Sequence, residues 1–168
     1  MNEMIKAILK YAKINSAAVT KTTVSMQPIL EQVAASVKSN YKKDIEITVS
    51  DMPDIFAEPV IITQVFQNLV DNAAKYSSSR DKAIINIRAD DRDDEVLYSI
   101  SDNGIGIEMK HADKVFEIFS RLHNQSHYDG YGVGLSIVKR IVERFQGKVW
   151  FESKVNEGTT FYVAFPKQ

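Results

Sequence analysis

From Gln64 to Ser77 the chain reads QVFQNLVDNAAKYS, and this stretch limits what the rest can build around it. Ile62, Phe66, Leu69, Val70 and Ala73 recur at helical spacing on one side, so a helix here must lay that face against a core. Gln64, Asn68, Asn72 and Lys75 fall on the other side within an arc of roughly 80°, taking about 100° per residue. Amides and a lysine on one stripe are partners for something anionic, or else a solvated helix face. Residues further along the chain separate the two readings.

A chain of 168 residues suits one domain, or one domain with an appendage, and can bury a substantial core. The formal net charge of -1 gives no global attraction to nucleic acid or anionic lipid, so neither is expected as a partner. There is no cysteine, which excludes disulfides, thiol catalysis and thiolate metal sites. No leader segment is visible, and no apolar run approaches the ~20 residues that span a bilayer. These features fit a cytoplasmic protein and equally the cytoplasmic part of a membrane-bound sensor.

Met1, Met4, Ile8 and Tyr11 stand at a/d-like spacing with Ile5, Leu9 and Ala12 beside them, predicting an amphipathic helix over residues 1–15. It is too short to stand alone and reads as the stub of a longer helix in a bundle. Residues 16–23 are small and polar and read as a linker, with Thr22 to Met26 as a short strand. Pro28 sits in the first turn of a helix that Ile29, Leu30, Val33, Ala34 and Val37 carry to about Tyr41. Ile45, Ile47 and Val49 alternate as a strand, and Glu58-Pro59 opens the central helix. Two strands follow, one with Ile85, Ile87 and Ala89 on one face, the other with Val96, Tyr98 and Ile100. Asp102 shares the parity of Ile100, so its carboxylate points inward and needs a donor, or else caps the loop after it.

NGIGI at 103–107 is a tight glycine loop, Val115 to Leu122 is a short apolar segment, and His123 to Asp129 is polar. Gly130, Gly132 and Gly134 then alternate ahead of a helix from Leu135 to Phe145 that Gly147 stops. A β-hairpin closes the chain, with Val149 and Phe151 on one strand, Phe161, Val163 and Phe165 on the other, and a turn at Asn156 to Gly158. Glycine at every second position before a helix removes side chains that would hold a ligand off the backbone and leaves the first N–H groups free for an anion. The spacing is neither a P-loop nor a dinucleotide fingerprint.

In order along the chain, these motifs resemble the ATP-binding catalytic domain of sensor histidine kinases, in the superfamily of gyrase, Hsp90-type chaperones, histidine kinases and MutL (Bergerat fold). Gln64 to Ser77 resembles its N box, Asp102 to Gly106 the first glycine box and Val115 to Leu122 the F box. Gly130 to Leu135 resembles the second glycine box and Gly158-Thr159-Thr160-Phe161 the closing element. The resemblance implies an α/β two-layer sandwich whose mixed, mostly antiparallel sheet is covered on one face by about three helices. A lid lies between the F box and the second glycine box. It divides the chain into a dimerisation-helix tail at 1–15, a linker at 16–23 and the catalytic domain at 24–168.

The same resemblance implies site roles. Asn72 coordinates Mg²⁺ through its amide oxygen, with Asn68 contributing directly or through water. Lys75 and Arg121 meet phosphate oxygens, and Tyr76 lies against the nucleotide. Asp102 accepts from the adenine amino group, Gly104 and Gly106 let the backbone pass close to the base, Ile107 is among the ATP-binding residues, and Thr160 bonds near the adenine. Gly130, Gly132, Val133, Gly134 and Leu135 close around the phosphates, and 123–131 forms the lid. Phe116 and Phe119 are core residues or lid anchors. Tyr131 and Val133 depart from the threonine and leucine common in the family.

In the ATP-hydrolysing members a glutamate stands one turn before the Mg²⁺ asparagine and activates water. Asn68 stands there in this chain and cannot act as a base. The resemblance therefore implies a protein-histidine kinase that holds Mg²⁺-ATP and passes the γ-phosphoryl group to a histidine on a separate dimerisation domain. Of His111, His123 and His127, none sits in the helical His-Glu or His-Asp setting of that domain. The implied partners are that phosphoacceptor domain, a response regulator and a second copy of the full-length protein. The alternative is a nucleotide-binding switch module, or a serine-directed kinase of the same superfamily.

Overall fold

The computed structural model describes residues 5, 6, 9, 12, 13, 18–118 and 132–167. Its centre is a five-stranded sheet in the order β2-β4-β5-β7-β6, built from β2 (Ile45–Val49), β4 (Ala83–Asp91), β5 (Glu95–Asp102), β6 (Lys148–Lys154) and β7 (Gly158–Pro166). β2 runs parallel to β4, and every other pairing is antiparallel. Helices α1 (Met26–Asn40), α2 (Pro59–Tyr76) and α3 (Gly134–Arg144) pack on the sheet, α2 between the other two. The mixed sheet and three-helix layer agree with the architecture expected from the sequence.

The alternation of the strands explains the layering. Ile85, Ile87, Tyr98, Ile100, Phe161, Val163 and Phe165 share one parity and are buried under the helices. Against them lie Leu30 and Val33 of α1, Ile62, Phe66, Leu69 and Val70 of α2, and Ile137, Val138 and Ile141 of α3. Fully burying each such side chain contributes roughly 1.5–3 kcal/mol, which fixes the helices to this face. Tyr98 meets Phe66 edge-on at 5.1 Å, and its hydroxyl donates to Pro53 O at 2.7 Å. Burial pushes that hydroxyl's pKa up, so it stays a donor.

α2 starts as the Glu58-Pro59 pair predicts. The Glu58 carboxylate accepts from Val60 N at 3.2 Å and Ile61 N at 2.7 Å, closing two of the orphan donors of the first turn. At its other end the buried Ser77 hydroxyl donates to Ala73 O at 2.7 Å.

Two details differ from the sequence reading. A two-stranded sheet joins β1 (Thr22–Val24) to β3 (Ile55–Ala57), and β3 was not anticipated. Within the stretch read as linker, Val19 packs on the core and Lys21 Nζ lies 5.3 Å from the Phe145 ring centroid. The left-handed residue that ends α3 is Gln146, φ 60°, rather than Gly147. Gln146 N donates to Glu143 O and Gly147 N to Val142 O, a Schellman pair. Gly147 is required for closeness instead, since a Cβ there would lie 2.4 Å from Ala164 O. Of the helix expected over 1–15, residues 5, 6, 9, 12 and 13 are described and helical, with Ile5 and Leu9 exposed.

Candidate active site

Asp102 ends β5 and is 9% exposed, with its side chain on the helix-covered side as its parity requires. Gly104 N donates to Asp102 Oδ1 at 2.8 Å and Thr159 N to the same oxygen at 3.3 Å. Both sequence readings of this residue therefore hold: it faces inward and it caps the glycine loop. No described donor reaches Oδ2. Burial pushes the carboxyl from its ordinary 3.8 to about 6, against the two N–H bonds that pull it down.

The glycine loop is clamped between the end of α2 and the β6–β7 turn. Ile105 N donates to Tyr76 O at 3.1 Å, and Asn156 N donates to Ile105 O at 2.8 Å. The Asn103 side chain bridges Ile84 N on β4 and Lys82 O just before that strand. A Cβ on Gly104 would fall 2.5 Å from Tyr76 O, and one on Gly106, φ +75°, would fall 2.3 Å from Lys154 O. In this structure both glycines thus clear neighbouring protein backbone. Ile107 N is held by Ser153 Oγ at 2.8 Å, and the Ile107 side chain packs on the core.

On α2, Asn68, Asn72, Lys75 and Tyr76 are all half-buried, so the polar stripe is not an open solvated face. The side-chain nitrogens of Gln64 and Asn68 are buried without a hydrogen-bond partner among the described residues. Left unpaired, each such orphan would cost on the order of 1–3 kcal/mol, so each calls for a polar partner. Asn68 Oδ1 borders the start of α3, 3.5 Å from where a Gly134 Cβ would sit. That helix begins at Gly134, and its N-cap residue Val133 makes no side-chain cap hydrogen bond; first-turn N–H groups without a cap suit an anion. Gly132 has φ +67°, Val133 is buried, and Leu135 packs on the core. Lys75 Nζ lies 5.1 Å from the Tyr76 ring centroid.

One assignment moves. Thr160 pairs with Ser101 and Glu152 and shares the parity of Tyr162, on the sheet face away from the helices. Thr159 is the residue opposite Asp102, buried, with Oγ1 2.8 Å from Ser153 Oγ. A one-residue step along a strand reverses the face, which is why Thr159, and not Thr160, stands beside Asp102. Arg80, also missed, reaches three loop carbonyls. Phe116 packs 6.2 Å from both Phe151 and Phe161, the core role of the two expected. Arg121, Phe119, Gly130, Tyr131, His123, His127 and the lid at 123–131 lie outside the described residues. Among the described residues no group of three or more His, Cys, Asp or Glu could hold a metal ion. No described helix is long and apolar enough to cross a membrane. A separate groove of about 430 Å³ between Phe116–Ile118 and α3 holds none of the predicted site residues.

Residues 57–168 match the family described as "Histidine kinase-, DNA gyrase B-, and HSP90-like ATPase". The chain belongs to that family, and its fold is that of the histidine kinase ATPase domain. It is 36% identical over 167 residues to the phytochrome-like protein Cph1 of Synechocystis sp., covering 99% of this chain and 22% of that protein. The chain thus spans 22% of the length of that relative. Full-length ShkA, solved in complex with AMPPNP, superposes with a TM-score of 0.80 at 24% identity, over 99% of this chain and 36% of that one. Histidine kinase ThkA, solved with the response regulator TrrA, gives 0.79 at 22% identity, over 99% of this chain and 48% of that one. At these identities the likeness to both structures is one of fold.

Proposed function

We propose that this chain binds Mg²⁺-ATP and is the catalytic part of a sensor histidine kinase, passing the γ-phosphoryl group to a histidine on a dimerisation domain. The observation that carries the reading is the Asp102 carboxylate. One oxygen is satisfied by Gly104 N and Thr159 N, and the other has no described donor. An acceptor so placed beside a buried wall suits the exocyclic amino group of adenine. At the other end of the reading stand the orphaned Asn68 amide and the uncapped start of α3, which suit phosphate.

The donor set also suits Mg²⁺. The ion keeps most of its waters and shares phosphate oxygens, so Asn72, with Asn68 beside it, would hold it through neutral amides. When bound, the ion supplies charge neutralisation on the phosphates. Lys75 adds a point charge to the same end of α2. Asn68 offers no base, so water in the site is not activated. The attacking group is then an imidazole nitrogen from the partner domain: an N–P bond forms, the bond to the β,γ-bridging oxygen breaks, ADP leaves, and the imidazole proton passes to solvent.

In this reading residues 1–15 end a dimerisation helix and 24–168 form the ATP-binding domain. The remainder of a cytoplasmic or membrane-tethered homodimeric sensor supplies the phosphoacceptor, and a response regulator takes the phosphoryl group onward. Calorimetry tests it. Mg²⁺-ATP should bind, Asn72→Ala should weaken binding about tenfold or more, and chelating Mg²⁺ should lower the unaltered chain to the level of that variant. A phosphoacceptor domain supplied in trans should acquire acid-labile phosphohistidine. A chain that gives no heat with Mg²⁺-ATP would falsify the reading.

A further inference from the structure

Arg80 stands just past the end of α2, its N–H bonded to Ser77 O at 3.0 Å. Its half-buried guanidinium gathers carbonyls from two separate loops. Nε donates to Asn103 O at 2.8 Å and Nη2 to Gly104 O at 3.0 Å, while Nη2 also donates to Asn156 O in the β6–β7 turn. The planar fork of arginine suits such a cluster of oxygens, and a lysine would not reproduce it.

The consequence lies in the peptide plane. The Asn103 carbonyl and the Gly104 N–H belong to one rigid peptide unit. Arg80 holds its oxygen, and its N–H is the donor to Asp102 Oδ1. Fixing the carbonyl therefore aims the N–H, and the N–H orients the carboxylate. Tyr76 O receives the next N–H, that of Ile105, so the end of α2 and Arg80 grip the loop from its donor and acceptor sides.

We propose that Arg80 is a positioning residue that sets the base selectivity of the nucleotide site. It touches no ligand; it acts through the 103–104 peptide on Asp102. The inference rests on the reading that Asp102 accepts from the adenine amino group. Without Arg80 the peptide can rotate, the carboxylate loses its fixed aim, and a purine with an amino group at its six position is no longer preferred to one with an oxygen there.

The test is the ratio of dissociation constants for Mg²⁺-ATP and Mg²⁺-inosine triphosphate, which differ at that position. The unaltered chain should favour ATP. Arg80→Ala should shrink the preference about tenfold or more, because a site built around a hydrogen bond discriminates only while the bond is aimed. Arg80→Lys should fall between. Melting curves are taken on every variant, and if Arg80→Ala does not fold, Arg80→Lys and Arg80→Gln supply the ratio. A folded Arg80 variant that keeps the full preference overturns the inference while leaving the ATP reading in place. An unaltered chain that binds neither nucleotide, or both equally, overturns that reading and the inference with it.

Discussion

Asp102→Asn should give a protein that is more stable at neutral pH and blind to adenine. Burial holds the Asp102 carboxyl at about 6 in the folded chain, above its ordinary 3.8. Between those values the folded state binds more protons than the unfolded one, so stability falls as pH rises through the window and is flat above it. The ionised carboxylate thus costs roughly 3 kcal/mol at neutral pH relative to its protonated form. Asparagine is neutral throughout, and its amide oxygen can accept from Gly104 N and Thr159 N as Oδ1 does. Denaturation across pH 4–8 should show the variant gaining about 1–3 kcal/mol at the upper end and lacking the falling limb. Superimposable pH curves for the two proteins would count against a buried, ionised Asp102.

Binding should move the other way. In the variant the second atom of the side chain is an NH₂ group, which meets the adenine amino group donor to donor. A site whose buried polar partner is mismatched rejects its ligand by about a hundredfold or more. In the unaltered chain the ionised form is the acceptor, so ATP affinity should fall as pH drops through about 6. The variant should lack that dependence. The group that costs stability at neutral pH is the one the proposed site uses, as local sequence–structure conflicts at functional sites commonly are.

Periodicity made most of the architecture legible. Helix α2 announced itself by Phe66, Leu69, Val70 and Ala73, and the strands by alternation, because burial on one face leaves a regular trace. β3 left none: Ile55 to Ala57 is three residues long, too short to show a period. The parallel pairing of β2 with β4 is a tertiary choice that neither strand encodes alone. The site divides in the same way. The inward aim of Asp102 followed from the parity of Ile100, and the same rule applied to Phe161 would have selected Thr159 over Thr160. Arg80 offered no local signal, since its partners Asn103, Gly104 and Asn156 are remote in sequence. The glycines of the 103–107 loop were legible as a close approach, but what they approach, Tyr76 O and Lys154 O, belongs to the assembled fold.

Gly158→Ala should be among the most damaging single-methyl changes in the chain. Gly158 opens β7 with φ +131°, a conformation that L residues rarely adopt. A Cβ there would sit 1.9 Å from Asp102 O and 3.0 Å from Asn103 Cα, both backbone atoms that cannot swing aside. Relief requires the β6–β7 turn to lift from the end of β5, breaking the Asp102–Thr159 register. Strain plus lost pairing should cost about 3 kcal/mol or more, with nucleotide binding lost alongside because Thr159 N leaves the carboxylate. Gly134→Ala provides the contrast. Its Cβ would meet Asn68 Oδ1 at an ordinary 3.5 Å, and the site is helical, so stability should rise by a few tenths to about 1 kcal/mol. The added methyl nonetheless stands where phosphate is proposed to meet the helix start, so affinity for Mg²⁺-ATP should fall. Urea denaturation and calorimetry on the two variants therefore separate a glycine required by the fold from one required by the ligand. Equal stability losses in both would show that the hairpin is not seated on β5 as described.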